Sequence, residues 1–385
     1  MTIDEKSLDE NPRRAARSKR RSVRVGEIIE FLEYLAPPAM TAPAAPFGLQ
    51  VGSRQSILRT IVVSPVPTHN AIRKATETKA GLLICAMPLL THPFTALCWD
   101  DPVGAKITQL TQRQVSLYAL SNAYAAAPAG FDDCLAERLG LAARGALVPT
   151  LAEKQLKLVV FVPPSALDRV RNAAGDAGAG LIGTYSHCGF SMRGSGTFLP
   201  LPGATPTVGR VGKRETVDET RLEMVVPERE LQGVIAAVLE AHPYEAVAYD
   251  VYPLHNPGMV YGRGRIGELP LHVSLDTILA QTSDALGLEG NAARCTNRMD
   301  ALVGTLAVAS GVDTGEGLLW AAHRQQAGAL IVGGLSMTDT LLADSTHTTV
   351  IDIGFAPSVA PGLERLTAQL QDTFRGDGLR VVYNP

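Results

Sequence analysis

Four residues in the middle of the chain are of the types that hold transition metals. His187, Cys188, His242 and Glu245 supply imidazole, thiolate and carboxylate donors, a set that zinc or copper takes. They form one site only if the fold brings two separate segments to a common edge. The competing reading is that His242-Pro243-Tyr244-Glu245 closes a helix, where its polar groups cap the end or pair across a subunit interface. Two glycine-rich segments are candidates for anions. Gly311-Val312-Asp313-Thr314-Gly315-Glu316-Gly317 stands between a predicted strand and a predicted helix, where backbone N–H groups could hold a phosphate or carboxylate. It lacks the Lys-Ser/Thr of a P-loop and the spacing of a dinucleotide fingerprint, so a tight turn competes with the anion reading. Gly262-Arg263-Gly264-Arg265-Ile266-Gly267 offers two guanidinium groups, suited to a phosphate or to a carboxylate at a subunit interface. The ligand-binding candidates are therefore Arg263, Arg265, Gly311, Gly315 and Gly317. His69, His92, Asp339, Asp344, His347 and Asp352 fall at predicted loop ends without a recognisable ligand spacing. No Ser-His-Asp order or Cys–His pairing stands out, and Cys85 has only Ala86, Met87 and Pro88 beside it, none of them a base. No catalytic residue is assigned.

These residues are positioned by alternating short apolar runs and helical stripes. Val25, Ile28, Ile29, Leu32 and Leu35 make a helix that Pro37-Pro38 stops. Residues 57–63, 81–85 and 115–120 read as buried strands, with helices at 70–79 and 131–139. The pattern returns late, with strands at 303–309, 329–332 and 350–353 and helices at 315–325 and 362–370. Such alternation predicts parallel or mixed sheets covered on both faces. Ala80-Gly81-Leu82-Leu83-Ile84 and Ala327-Gly328-Ala329-Leu330-Ile331 share local wording, which implies two related α/β halves with a site at the carboxyl ends of their strands. Between them, strand 157–162 and helix 165–174 are followed by strand 222–226 and helix 228–240. In the latter helix Leu231, Val234, Ile235, Val238 and Leu239 follow the i, i+3, i+4, i+7, i+8 rule, and Pro227 suits its start. A repeated strand–helix–strand order predicts an inserted ferredoxin-like α+β domain. The expected layout is a basic tail at 1–22, a first half at 23–155, the insertion at 156–255 and a second half at 256–385.

Composition sets the bounds. A chain of 385 residues exceeds what one hydrophobic core ordinarily serves. With 46% hydrophobic and 19% charged residues it is not a disordered chain. A net charge of −3 argues against nucleic acid as the main partner. The exception is the stretch holding Arg13, Arg14, Arg17, Lys19, Arg20, Arg21 and Arg24 among few apolar residues, which makes the 1–22 tail a solvated segment or a polyanion-binding arm. No apolar run reaches the length of a membrane span. The five cysteines are scattered without CxxC spacing, as in a reducing cytoplasm.

The sequence resembles the Nif-three-like dinuclear-metal hexamer family, also labelled GTP cyclohydrolase I type 2 homologue. The residues that carry the resemblance are Tyr185-Ser186-His187-Cys188, His242-Pro243-Tyr244-Glu245, Tyr249-Asp250-Val251-Tyr252-Pro253-Leu254, Gly48-Leu49-Gln50-Val51-Gly52 and the 262–267 segment. It spans nearly the whole chain from about residue 25. The resemblance implies an α/β core in two halves, ring-like assembly into a homohexamer, and an insertion resembling PII and CutA proteins.

It also implies a two-metal centre, and there the sequence departs from the family pattern. The His-His-Pro motif falls on Ala86-Met87-Pro88, the His-x-x-x-Asp motif on Ser121-Asn122-Ala123-Tyr124-Ala125, and the Gly-His-x-x-x-Glu motif on Gly354-Phe355-Ala356-Pro357-Ser358-Val359. A further His-His pair falls on Met337-Thr338, and the Trp-Asp-Asn before the Gly-Leu-Gln-Val-Gly segment is Ala44-Ala45-Pro46. The family's ligand positions thus hold Ala86, Met87, Ala125, Phe355 and Val359, which cannot coordinate a hard or borderline cation. The expectation is a protein without the dinuclear centre and without a cofactor. It would act as a cytoplasmic oligomer that binds or regulates, with a small anionic metabolite or a protein as partner. The alternative is a metal-dependent hydrolase of the GTP cyclohydrolase type, in which a bound metal activates water.

Overall fold

The computed structural model describes residues 22–38, 47–93, 95–289, 293–296, 302–311 and 316–385. The basic tail (apart from Ser22), Ala44-Ala45-Pro46 and Gly315 lie outside the described residues. The chain divides into two compact units, one made of residues 1–150 and 262–385 and the other of Leu151–Tyr261. The sequence boundaries for the insertion were 156–255.

The larger unit contains two α/β sheets. In the first, strands Thr60–Ser64, Leu82–Cys85 and Ser116–Ala119 run parallel. Arg380–Tyr383 adds parallel to Thr60–Ser64 on one side, and Gly48–Val51 adds antiparallel to Ser116–Ala119 on the other. All five residues of Thr60–Ser64 and all four of Leu82–Cys85 are buried, as a strand covered on both faces requires. Helices His69–Glu77 and Pro102–Gln112 cover one face, burying Ile72, Ile107 and Leu110 against Val62, Leu83 and Leu117. Each such side chain stabilises by roughly 1.5–3 kcal/mol when fully removed from water. Thr68 starts the first of these helices by accepting a hydrogen bond from Ala71 N at 3.1 Å.

The second sheet repeats the scheme. Val303–Ala309, Ala329–Val332 and Val350–Asp352 run parallel, and residues 265–273 of the long strand Tyr249–Val273 pair antiparallel with Val303–Ala309. Leu306, Val308 and Ile331 face one cluster that includes Ile278, while Ala307, Leu330 and Val332 face another that includes Leu318. The wording shared by 80–84 and 327–331 has a structural counterpart. Gly81 N donates to Thr60 O and Gly328 N to Thr305 O, so each opens the second strand of its half from the same place.

The final long helix differs from expectation. It runs Phe355–Thr373 rather than from Gly362. Pro357 falls in its first turn, where the missing N–H costs nothing. Pro361 lies inside it and is tolerated there, fully packed.

The Leu151–Tyr261 unit orders its elements strand, helix Leu167–Asp176, strands Gly189–Phe198 and Glu215–Pro227, helix Leu231–Ala241, strand. Glu215–Pro227 pairs antiparallel with both Ala142–Val162 and Gly189–Phe198, leaving Gly189–Phe198 at the sheet edge. Leu222, Met224 and Val226 face a core shared with Val170, Val234 and Val238 of the two helices.

A buried carboxylate joins the two halves of the larger unit. Asp132, 2% exposed, accepts hydrogen bonds from Gly264 N at 2.6 Å and Ser310 N at 2.7 Å. Asp132→Ala orphans both donors, so we expect a loss on the order of 3 kcal/mol. Asp132→Asn, which keeps one acceptor oxygen, should lose less. Denaturant unfolding of both variants is the measurement, and equal midpoints for Asp132→Ala and the unmodified protein would contradict the assignment.

Candidate functional site

The three motif segments all start at the carboxyl ends of strands. Ala86 and Met87 follow Leu82–Cys85, and their amides donate to Ser64 O and Pro65 O. Helix Ser121–Ala126 follows the neighbouring strand, with Leu120 N donating to Cys85 O. Gly354 follows Val350–Asp352 in the second half and begins helix Phe355–Thr373 at a φ of 78°, a backbone region that favours glycine. Ala125 and Val359 are each the fifth residue of their helices. The segment from 130 to 133 then locks these pieces to the second half. Asp133 accepts from Ala129 N at 2.7 Å and pairs with Arg265, while Asp132 spans Gly264 and Ser310. Ser358 Oγ accepts from Gly311 N at 2.9 Å and donates to Phe355 O.

The side chains at 86, 87, 125, 355 and 359, where the sequence resemblance places ligands, carry no donor for a hard or borderline cation. Ala86 and Val359 are fully buried and Ala125 is 1% exposed. Cys85, beside Ala86, is also fully buried, and loss of hydration pushes its thiol far above the ordinary range. Cys134 is pushed up to about 11 by the same cause. Neither thiol supplies a thiolate at neutral pH. Among the described residues no group of three His, Cys, Asp or Glu side chains could hold a metal ion. The described residues at these positions do not fit a dinuclear centre.

The scattered candidates have local roles. Asp339 accepts from Ser336 N and Ser336 Oγ, capping helix Met337–Ser345. Asp352 accepts from Gly354 N at 2.9 Å. His69 and His92 are exposed, and exposed His347 adopts a φ of 52° just after a helix end.

Of the anion candidates, Arg265 is corrected to a structural role. It is 5% exposed, and its guanidinium is engaged by Asp133, Gly262 O and Gly264 O. Gly264 sits at a φ of 63°, which lets the strand turn its amide toward Asp132. Arg263 is half-buried, with its guanidinium near Gly317: a β-carbon there would lie 3.1 Å from Arg263 Nη2. Gly311 faces Gly333 too closely for a side chain, 2.3 Å from Gly333 O to a β-carbon. Close packing explains this glycine.

The four metal-type residues of the insertion do not converge. His187 lies at the end of helix Leu167–Asp176, its ring sharing hydrogen bonds with Asp176 and Ser186. Cys188 Sγ points back to Ser186 O. His242 closes the other helix, Leu231–Ala241, at its far end, near Arg169 in the first turn of the antiparallel partner. Its Nε2 donates to Phe161 O at 3.1 Å and its Nδ1 accepts from Tyr244 N at 3.1 Å. That pair of bonds fixes the neutral imidazole with the proton on Nε2. Glu245 accepts from Thr205 N at 2.9 Å and so holds a loop rather than a metal.

Sequence reading missed a cavity of about 560 Å³ on the outer face of the insertion sheet. Its floor is the edge strand, where Met192, Gly194, Gly196 and Phe198 alternate with residues turned to the other side. Loop 199–214 forms a wall, held by Glu245 and by Thr207 Oγ1 donating to Pro243 O. The two glycines in a strand, flanked at period two by Met and Phe, were the available signal.

An α/β protein of two mixed-sheet halves, with motif segments at strand ends and an inserted α+β unit, is what the fold defines. The chain belongs to the Duf34/NIF3 (NGG1p interacting factor 3) family, whose model matches residues 23–384. It is 35% identical over 315 residues to a Bacillus subtilis protein named GTP cyclohydrolase 1 type 2 homolog, covering 82% of this chain and 83% of that one. A Mycobacterium tuberculosis protein of the same name is 36% identical over 300 residues, covering 77% and 78%. A solved Bacillus cereus protein related to NIF3 superposes with a TM-score of 0.84 at 32% identity, covering 95% of this chain and 97% of that one. Among the described residues no helix is long and apolar enough to cross a membrane.

The His242 geometry gives a pH prediction. Burial lowers its pKa from the usual 6.5, so the folded state binds fewer protons than the unfolded chain below that value. The stability it supports is present above 6.5 and is lost as pH falls toward the folded pKa. Unfolding midpoints should drop as pH falls through about 6.5, and His242→Asn should remove that part of the slope. An unchanged slope in the variant would show that His242 does not carry it.

Proposed function

We propose that this protein is a family member that works by binding and not by metal-dependent hydrolysis. The single observation behind the reading is the chemistry of the strand-end positions. Ala86, Ala125 and Val359 stand buried where the resemblance places ligands. Hydrolysis by a metal-activated water needs donors that hold the ion and leave one coordination position open, and buried methyl groups offer none. The polar scaffold around these positions stays intact through Asp132, Asp133, Ser310 and Ser358, so what changes is the chemistry and not the frame.

In this reading the Leu151–Tyr261 unit is a PII/CutA-like insertion, supported by its strand–helix–strand order taken twice. It also carries a ligand-sized cavity, since volumes of about 300–1,000 Å³ are typical of small-molecule sites. The protein works as a homo-oligomer, a hexamer if it follows the family resemblance. The name shared by the Bacillus and Mycobacterium relatives favours the second reading, a hydrolase of the GTP cyclohydrolase type.

Metal content separates the two. The untagged protein, dialysed in turn with zinc, manganese and iron and then freed of excess, should retain well below one equivalent per chain by elemental analysis. Two equivalents would overturn the binding reading and restore the hydrolase. One equivalent lost on His187→Ala or His242→Ala would move a metal into the insertion, against the geometry described above.

A further inference from the structure

The cavity of the insertion has an uneven charge balance. Along the edge strand, Arg193 pairs with Thr220 and Ser191 with Leu222, and Leu222 belongs to the helix-side core. Alternation therefore turns Arg193 to the helix side and Met192, Gly194, Gly196 and Phe198 to the cavity side. Opposite them, Gly194 pairs with Glu219 and Met192 with Arg221. Arg221 is already compensated. Its Nε donates to Glu223 Oε1 at 2.8 Å, and its guanidinium stacks over the Phe161 ring at 5.6 Å. Glu245 is engaged by the loop amide of Thr205. Glu219 differs: among the described residues neither a hydrogen bond nor an ion pair engages its carboxylate.

The neighbourhood of that carboxylate has a definite shape. It leans over Gly196, where a β-carbon would stand 2.1 Å from Glu219 Oε2. At Gly194 an added β-carbon would meet nothing within 4 Å. The two glycines thus leave a slot between Met192 and Phe198. Tyr244 stands near enough to Glu219 for its hydroxyl to feel the negative charge, and its ring is held edge-on by His242 at 5.0 Å. A carboxylate beside an aromatic ring, over an apolar slot, is complementary to a positive charge on an apolar body.

We propose that this cavity binds a small organic cation, a protonated amine on an apolar and preferably flat body, with the ammonium group against Glu219 and Tyr244 and the body over Gly194 and Gly196. Loss of hydration raises the Glu219 carboxyl above its ordinary range, the cost of a charge that a bound ammonium would offset. An anion is the poorer fit, since of the two lining cations Arg221 is paired and Arg193 turns to the helix side by alternation. This assignment rests on the reading that the protein works by binding, and it names the ligand class.

Calorimetric titration of the full-length protein is the test. The probes are benzylamine, phenethylamine and 3-phenylpropylamine, with 3-phenylpropanoate and phenethyl alcohol as shape-matched controls. At least one amine should bind, and neither control should match it. Glu219→Gln should weaken that amine about ten-fold or more, the worth of a charge-assisted hydrogen bond. Gly194→Leu, whose β-carbon meets nothing within 4 Å, should fill the slot and abolish binding while the unfolding midpoint holds. The proposal is overturned if no amine binds, if the acid or alcohol binds as well, or if amine binding survives both substitutions. Its failure is distinct from that of the binding reading. Two retained metal equivalents would sink the latter, whereas a metal-free protein indifferent to amines sinks only the ligand class.

Discussion

A carboxylate with almost no access to water sits where the two halves of the larger unit meet. Asp132 is held by the amides of Gly264 and Ser310, and its neighbour Asp133 takes Arg265, whose other N–H groups go to carbonyls of its own strand. Burial works against its charge, and the Ser310 and Arg265 contacts work the other way. Such an arrangement is stable only when its buried charges are paired and hydrogen-bonded. Gly264 therefore has to turn its amide inward, and Val303–Ala309 has to end at Ser310. Through Gly311 and Ser358 the same constraint reaches helix Phe355–Thr373. The strand ends that would hold the family's chemistry are placed by this polar knot, which is independent of the ligands themselves.

Under the proposed reading, that independence would let the frame persist while its chemistry is replaced. Imidazoles and carboxylates at 86, 125 or 359 would be exposed to an ion on one side and supported by the frame on the other. Alanine and valine there need only be packed, and they are. Nothing in the Asp132 knot, the strand pairings or the helix caps requires a metal to hold its geometry. The insertion has the reverse character. Its helices and sheet core are ordinary, and its unusual residues, two glycines and an unpaired glutamate, gather on the outer sheet face.

Legibility from the sequence followed the range of the forces involved. The buried strands of both halves were readable because runs such as Ile61-Val62-Val63 and Leu82-Leu83-Ile84 carry their burial in composition. Helix Leu231–Ala241 was readable from its stripe. Helix Pro102–Gln112 passed unread although Asp101 caps it and Pro102 opens it, because its apolar face is thin, with only Ile107 and Leu110 large and buried. Helix Met337–Ser345 likewise hid behind a weak stripe, though Ser336 and Asp339 form a capping box. The Asp132 contacts join residues 132 and 178 positions apart, and no local pattern announces a partner at that distance. Arg265 looked like a ligand for the same reason: the carboxylate that occupies it is far away in the chain. His187 and His242 looked like a pair because sequence does not show that their helices run antiparallel and leave them at opposite ends.

One pairing in the first sheet bears on how the chain reaches this state. Thr60–Ser64 lies parallel to Arg380–Tyr383, and Asn384 Nδ2 reaches Ser64 Oγ across 320 positions. On the ribosome, the first half emerges with that flank of Thr60–Ser64 bare, and it stays bare while the insertion and the second half are made. Closing so long a loop is slow, and an unpaired apolar edge invites other chains in the interval. The price of building the first sheet from segments so far apart in the sequence is therefore kinetic: its completion waits until residues 380–383 have been made, and until then the nascent first half is open to misassembly.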